Sequence, residues 1–155
     1  MLKKLLCTVF VLSCVGSLLA ADPWVGTWKV NVKKSKFVPG RELKEGTLTI
    51  AEQGDDIALT LKGTGGNGQP VSAVYTIPSK GGVAKFTEGG PPPGAIFAAK
   101  RIDANTVEFT TTMNGKQVQT DRVVLSKNGK SFVEMSTGID PQGKPVSAKL
   151  VFDRR

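Results

Sequence analysis

Histidine is absent from the sequence, and its two cysteines, Cys7 and Cys14, both lie near the amino terminus. The rest of the chain therefore lacks the side chains for a Cys/His zinc site, a His-ligated haem, a cysteine nucleophile or a Ser-His-Asp triad. It also cannot form a disulfide, so packing alone must hold the fold together. These absences predict a protein that is not an enzyme and needs no metal or cofactor.

The apolar run from Leu5 to Leu19 is short for a membrane-spanning helix. Two lysines precede the run and two alanines follow it, which is the three-part pattern of a secretory signal. We predict a signal peptide over residues 1–20 and one domain over residues 21–155, exported to the periplasm or secreted. A retained membrane anchor is one alternative. A lipoprotein acylated at Cys14 is another, but apolar residues continue past that cysteine where a polar tether is expected.

Acidic residues are fewer than basic ones. The formal net charge is +8, and it is +6 without the two lysines of the predicted signal peptide. A basic exported protein is expected to feel weak attraction to anionic surfaces of the cell envelope. The basic residues are spread thinly along the chain, which argues against nucleic acid as a partner. After processing, we expect no transmembrane segment.

No stretch of the mature chain shows a helical period, whereas alternation of apolar and polar residues is found almost throughout. Pairs such as Asn114-Gly115 and Asn128-Gly129 separate the alternating runs, and Asn-Gly is the strongest short hairpin signal. The pattern predicts an all-β fold, an antiparallel up-and-down barrel of about 8–10 strands.

An internal repeat supports this architecture. Residues 47–77 align without a gap on residues 122–152, with seven identical positions that include Pro-Val-Ser-Ala at 70–73 and 145–148. Each copy has the pattern of a three-stranded meander. Two meanders with short connections favour an up-and-down barrel over a Greek-key sandwich.

Two segments interrupt the alternation. Residues 33–46 contain the basic run "KKSK" and a Pro-Gly turn, and are too short and broken for a pair of helices. Residues 88–95, "EGGPPPGA", are prone to polyproline structure. The proline segment is interpreted either as a rigid connection or as a lid or ligand motif at a barrel mouth, with the rigid connection favoured.

The opening "VGTWKV" at residues 25–30 resembles the first strand of the calycins, the lipocalins and fatty-acid-binding proteins. The ending "AKLVFDRR" is similar to the last strand of the fatty-acid-binding proteins. The whole chain looks closer still to a group of exported bacterial proteins that share a "GTWK…KSKF.PG" opening and a "KRIDANTVE" segment. The resemblance implies a lipocalin-like barrel with an interior for a small hydrophobic or amphipathic ligand, but it implies no assigned chemistry.

The chain departs from the fatty-acid-binding proteins in two places. Their helical lid after the first strand is replaced by the short 33–46 segment, so we expect a barrel without a helical lid. Leu150 and Phe152 stand where those proteins carry the Arg-x-Tyr pair that grips a carboxylate. Arg122 lies where they often place an interior arginine, although the repeat aligns Val123 and Leu125 with inward residues and would turn Arg122 outward.

The predicted ligand-binding residues are side chains of alternating strands expected to face the interior: Leu59, Tyr75, Phe97, Phe109, Arg122, Phe132 and Leu150. Among the acidic residues, Glu108 and Glu134 lie within strands, and Glu134 is the one expected to face the core. Such a buried acid is either a paired structural charge or a general acid, with the structural role favoured.

Gly26, Trp28 and Arg154 are predicted to close one end of the barrel. In lipocalins the tryptophan of the Gly-x-Trp motif is covered by a basic residue from the last strand, and the resemblance implies the same pair here. Alternation supports it, because Trp28 is expected to share the inward face of the first strand with Val30 and Val32, and Arg154 shares one face of the last strand with Leu150 and Phe152. If these two strands pair antiparallel to close the barrel, Trp28 and Arg154 lie at the same end. The alternative is that "DRR" is a frayed basic tail.

Two classes of function follow. The first is an exported barrel that binds a small hydrophobic or amphipathic molecule among its inward side chains. The second is a non-catalytic structural or interaction module of the envelope, whose barrel is filled and holds no ligand.

Overall fold

The computed structural model describes residues 22–155. The predicted signal peptide 1–20 and the lipid-acceptor alternative at Cys14 lie outside these residues. The described chain is all-β, apart from one turn of 3₁₀ helix at Val32–Lys34. Its eleven strands are β1 (Gly26–Val30), β2 (Leu43–Gln53), β3 (Asp56–Gly65), β4 (Pro70–Pro78), β5 (Gly82–Val83), β6 (Lys85–Glu88), β7 (Ala95–Asp103), β8 (Thr106–Met113), β9 (Lys116–Leu125), β10 (Ser131–Ile139) and β11 (Pro145–Arg154).

All strands belong to one antiparallel sheet in the order β5-β7-β8-β9-β10-β11-β1-β2-β3-β4-β6. The first and last long strands, β1 and β11, pair in the middle of this order, with Trp28 opposite Arg154. The two edge strands are β5, which pairs with β7, and β6, which pairs with β4. Only Ala84 separates β5 from β6 in sequence, so the two edges of the sheet lie next to each other and the barrel is nearly closed.

The predicted all-β antiparallel barrel is therefore confirmed, with one strand more than the upper expected number. The difference lies in residues 82–88, where β5 has two residues and β6 has four. Strands this short carry too few alternating positions to be recognised in a sequence.

The two copies of the internal repeat form the meanders β2–β3–β4 and β9–β10–β11, which lie on either side of β1. Between β8 and β9, Asn114 and Gly115 both have positive φ, 51° and 77°. That conformation is the type I′ turn that Asn-Gly favours, because its twist matches that of the flanking strands.

The first strand is shorter than its alternation predicts. Trp28 and Val30 are buried, but β1 ends at Val30, and Val32 enters the 3₁₀ turn with 37% of its surface exposed. Asn31 ends the strand because its side-chain oxygen accepts a hydrogen bond from the Lys34 amide, 3.1 Å away, which caps the turn. The prediction that Val32 shares the inward face is therefore wrong.

Residues 31–42 form a loop over one end of the barrel, which we call the loop end. The loop is tied to β11 by backbone hydrogen bonds between Lys36 and Lys149 and by the Ser35 hydroxyl, which accepts a bond from the Val151 amide. No pair of helices occurs in this loop. The opposite end, where Trp28 and Arg154 meet, is called the plug end.

The proline segment connects β6 to β7 at the loop end. Its residues are largely exposed and none of them lines an interior cavity in the described chain. This placement fits the rigid connection. Within residues 22–155, no helix has the length and apolar character needed to cross a membrane.

Candidate functional site

The plug end is built around Trp28, which is fully buried. The guanidinium of Arg154 lies over the indole, 4.1 Å from the ring centroid. Arg154 also donates from Nε to the Gly129 carbonyl at 2.7 Å, from Nη1 to the Val25 carbonyl at 2.8 Å, and from Nη2 to the Pro23 carbonyl. Arg154 is therefore an ordered part of the wall, and the "DRR" ending is not a frayed tail up to that residue.

Gly26 leaves room for this guanidinium. A Cβ at Gly26 would lie 2.6 Å from Nη1 of Arg154. The backbone φ of Gly26 is +144°, which residues other than glycine rarely adopt. The first residue of the Gly-x-Trp motif therefore makes space for the cation that stacks on its last residue.

Residues 22–25 complete the plug. The Trp28 indole donates to the Trp24 carbonyl at 3.0 Å, and the Trp24 indole donates to the Ala104 carbonyl at 3.1 Å. Asp22 forms a salt bridge with Arg101 at 2.6 Å, and this bond holds the pKa of Asp22 below its usual value. The Asp22–Arg101 pair was not predicted from the sequence, because nothing local connects positions so far apart.

An apolar cavity lies behind the plug. Its volume is about 90 Å³. Four of the predicted ligand-binding residues line it: Leu59, Tyr75, Phe109 and Phe132. The repeat and the alternation place these four together because each faces inward from a different strand.

A second cavity, of about 160 Å³, lies toward the loop end. The predicted residue Leu150 lines it, together with Phe37 and Arg41 from the loop. Glu134 lines both cavities. The interior therefore consists of two spaces that share one carboxyl group on their walls.

The predicted residue Phe97 lines neither cavity. It stacks on Phe109 with ring centroids 5.1 Å apart and meets Tyr75 edge-on at 5.9 Å. Phe86, which the sequence did not single out, stacks on Tyr75 at 4.6 Å. This aromatic cluster fills the side of the barrel next to the short strands β5 and β6, so Phe97 supports the cavity wall from behind.

Arg122 does not face the interior, and the prediction that it binds a ligand is wrong. Its side chain is 54% exposed and lies 3.8 Å from Glu108 on the neighbouring strand. β9 and β10 pair without interruption from Gln119 to Leu125, so alternation turns Asp121 and Val123 inward and Arg122 outward. The irregularity that could reverse the face lies earlier, where the β8–β9 register shifts next to Thr111.

The polar group at the centre of the interior is a pair of carboxyls on adjacent strands. Glu134 is half-buried and lines both cavities. Asp121 is 4% exposed and accepts two bonds from the Gln119 amide, at 2.8 and 3.0 Å. Ser136 pairs with Asp121 in the β9–β10 register and donates to Glu134 at 3.4 Å.

Burial raises the pKa of Glu134 to about 7, and the negative charge of Asp121 contributes. Burial also raises the pKa of Asp121, while bonds from Ser136 and Gln119 oppose the rise. Ser136 has one hydroxyl hydrogen and can satisfy only one carboxyl at a time. At neutral pH, Glu134 is therefore divided between its protonated and ionised forms.

Tyr75 lies close enough to Glu134 and Asp121 for their charges to change the pKa of its hydroxyl. Burial raises the pKa of its hydroxyl, and the charges of Glu134 and Asp121 raise it further. The hydroxyl takes part in none of the side-chain hydrogen bonds that we find among residues 22–155, so Tyr75 has an unused donor and acceptor beside the apolar cavity.

The sequence held a signal for Glu134 but none for Asp121. The internal repeat aligns Glu134 with Leu59, and both face the first cavity. Asp121 lies one position before the aligned segment, where its partner is Gly46. An acidic residue in an otherwise polar run gives no indication that it points inward.

No protein-family model and no curated protein sequence matches this chain. Solved structures do match. The zebrafish ileal bile acid-binding protein, complexed with cholic acid, aligns with 86% of this chain and 99% of its own length, at 15% identity and a TM-score of 0.50. Apocrustacyanin C1 aligns with 90% of this chain and 64% of its own, at 10% identity and a TM-score of 0.45. The siderocalin Ex-FABP aligns with 86% and 71%, at 11% identity and 0.36.

The likeness to the zebrafish protein shows the fold, a barrel of the lipocalin and fatty-acid-binding-protein type. The similarity in sequence is too low to show more.

Proposed function

We propose that this protein binds a small hydrophobic or amphipathic molecule inside its barrel, as a non-catalytic protein exported to the periplasm or secreted. The observation that carries the proposal is the barrel interior, an apolar cavity with unused polar atoms on its wall. Pockets for small molecules have this character, since apolar walls supply affinity and a few polar groups fix orientation.

The size of the interior limits the ligand. A cavity needs roughly 10–15 Å³ to hold one water, which occupies about 30 Å³ of liquid. The first cavity, at about 90 Å³, therefore has room for a molecule of roughly six to nine water volumes. That corresponds to a short alkyl chain or a single ring.

The architecture itself accommodates amphipathic guests. The zebrafish protein, which shares the fold, is complexed with cholic acid. For this chain we propose a smaller guest, because its aromatic cluster occupies one side of the interior and the two cavities are modest.

The export part of the proposal rests on the leader-like residues 1–20 and on the absence of cysteine beyond them. The chain also has an open basic groove lined by Lys29, Lys33, Lys44 and Arg155, with Glu45 and Asp153 among them. This groove fits weak attraction to anionic envelope surfaces.

The second candidate function is a structural or interaction module of the envelope with no ligand. The small cavities and the stacked cluster of Tyr75, Phe86, Phe97 and Phe109 favour it, because they show that side chains already fill much of the barrel.

The two candidates are separated by binding to an apolar fluorescent dye and by mass spectrometry of a solvent extract of protein purified from its natural compartment. Val123 is 5% exposed and lines the first cavity, whereas its neighbour Val124 is 42% exposed on the outer face. We expect Val123→Phe to abolish dye binding by filling the cavity and Val124→Phe to retain it, with both variants showing the circular dichroism of the wild type. No compound in repeated extracts and no dye binding would favour the structural module.

A further inference from the structure

We propose that the barrel interior selects ligands with a cationic head, such as primary alkyl amines, held by Glu134 and Asp121 beside the ring of Tyr75. This inference rests on the proposed ligand-binding function and narrows its ligand class.

The charge of the interior is the first argument. The carboxyls of Glu134 and Asp121 are diagonal neighbours on β10 and β9, since Ser136 is the residue directly opposite Asp121. Glu134 lines both cavities and has a single weak hydrogen bond from a side chain within residues 22–155, the 3.4 Å bond from Ser136. A half-buried carboxyl in an apolar cavity, with spare acceptor capacity, is costly unless a donor or a cation reaches it.

The basic side chains near the cavities do not supply that cation. Arg101 lines the first cavity at the plug end but is engaged by Asp22 at 2.6 Å. Arg41 lines the second cavity from the exposed loop, at its mouth. Arg122 lies on the outer surface. Among the described residues, the centre of the barrel therefore carries acidic groups without an inward basic partner.

The aromatic wall is the second argument. Tyr75 lines the same cavity as Glu134, and Phe86 stacks behind its ring at 4.6 Å. An ammonium group next to a carboxylate and an aromatic ring gains from both, because the ring face is negative and water is excluded. The unused Tyr75 hydroxyl adds an acceptor.

A carboxylate head in the same place would meet two acids and no free cation, which disfavours fatty acids with the head inward. A carboxylate bound with its head outward would instead rest near Arg41 at the mouth of the second cavity. These two orientations predict different responses to mutation.

The experiment compares hexylamine, hexanol and hexanoate by isothermal titration calorimetry at pH 8, with the full mature chain. The three share one alkyl chain and differ in the head. We expect hexylamine to bind about tenfold or more tightly than either of the others, as a charge-assisted hydrogen bond implies. We expect this preference to disappear in Glu134→Gln and to shrink in Asp121→Asn, and to persist in the control Glu108→Gln, which changes the same residue type on the outer face.

Proton uptake and release provide a second readout. The titratable and charged groups that face the site are Glu134, Asp121 and Tyr75, with Arg41 and the Arg101–Asp22 pair at the two ends. An ammonium favours the ionised form of Glu134, so hexylamine should release about half a proton at pH 7, measured in buffers of different ionisation enthalpy. Hexanol should release none.

Equal affinity for the amine and the alcohol, or an amine preference that survives Glu134→Gln, would overturn the proposed ligand class while leaving the binding function intact. Tighter binding of hexanoate, lost in Arg41→Gln, would overturn it in favour of an outward carboxylate. If no hexyl compound binds and extracts of the natural protein are empty, the binding function itself fails.

Discussion

Replacing Glu134 with glutamine should make the protein more stable at alkaline pH and change its stability little in acid. The carboxyl lines both interior cavities, next to Asp121 on the adjacent strand. Glutamine keeps the shape and can still accept a bond from Ser136, but it carries no charge. The variant therefore isolates what the buried negative charge costs.

The size of the effect follows from the pKa of Glu134, which burial raises from 4.5 to about 7. Because the folded pKa is the higher one, the folded state holds an extra proton between these values, and stability falls as the pH rises through this window. At 1.36 kcal/mol per pKa unit, the wild type should lose about 2.5 kcal/mol between pH 5 and pH 8 from this residue. The raised pKa of Asp121 acts in the same direction.

The assay is urea unfolding of wild type and Glu134→Gln at pH 5 and pH 8, followed by tryptophan fluorescence. We expect the gain in unfolding free energy from the substitution to be about 2.5 kcal/mol larger at pH 8 than at pH 5. Glu108→Gln on the outer face is the control, because it leaves both interior carboxyls in place. A Glu134→Gln variant with the same stability difference from wild type at both pH values would refute the reasoning.

Three further predictions concern the plug end. Arg154→Ala should lower the free energy of unfolding by about 2–4 kcal/mol, because it removes three hydrogen bonds and the stacking on the indole. Arg155→Ala, at an exposed residue, is the control and should change it by less than about 0.5 kcal/mol. Equal shifts of the two variants in urea unfolding would contradict this. Gly26→Ala should lower the free energy of unfolding by about 2–4 kcal/mol, since the φ of +144° is strained for alanine and the new Cβ would lie 2.6 Å from Arg154. A melting temperature equal to that of the wild type would contradict this, because it would mean that the neighbouring residues move aside without cost. Asp22→Asn should cost about 0.5–2 kcal/mol at pH 7 and less as the solution is acidified, because the lowered pKa of Asp22 gives stability that is lost as the pH falls through it. A cost that does not shrink on acidification would assign the effect to packing.

Much of the fold could be predicted from the sequence because it is written in local patterns. Alternation and Asn-Gly turns are properties of neighbouring residues, and both indicated antiparallel strands joined by hairpins. The repeat went further, since it aligned Glu134 with Leu59 and Val123 with Leu48, and these positions face inward in both copies. Parity along β1 and β11 similarly placed Trp28 and Arg154 at the same end, where the structure stacks them.

Predictions of which side chains face inward were less secure where a strand has a bulge or ends early. Arg122 was placed inward by analogy with a family pattern, whereas the pairing of β9 with β10 turns it outward. A single extra residue in a strand exchanges the two faces, and the sequence does not mark where such a residue occurs. Val32 does not face inward for a related reason. The strand ends at Val30, and Asn31 caps the 3₁₀ turn that follows.

The sequence by itself determined the class of fold, the strand order implied by the two meanders, and the exclusion of histidine and cysteine chemistry beyond Cys14. Only the tertiary structure decided what the interior contains. The closeness of Glu134 to Asp121, the salt bridge of Arg101 with Asp22 and the stacking of Phe86 on Tyr75 each bring together residues from different segments of the chain. Such contacts depend on strand register and barrel closure, which are set by the packing of the whole molecule and not by any local stretch of chain.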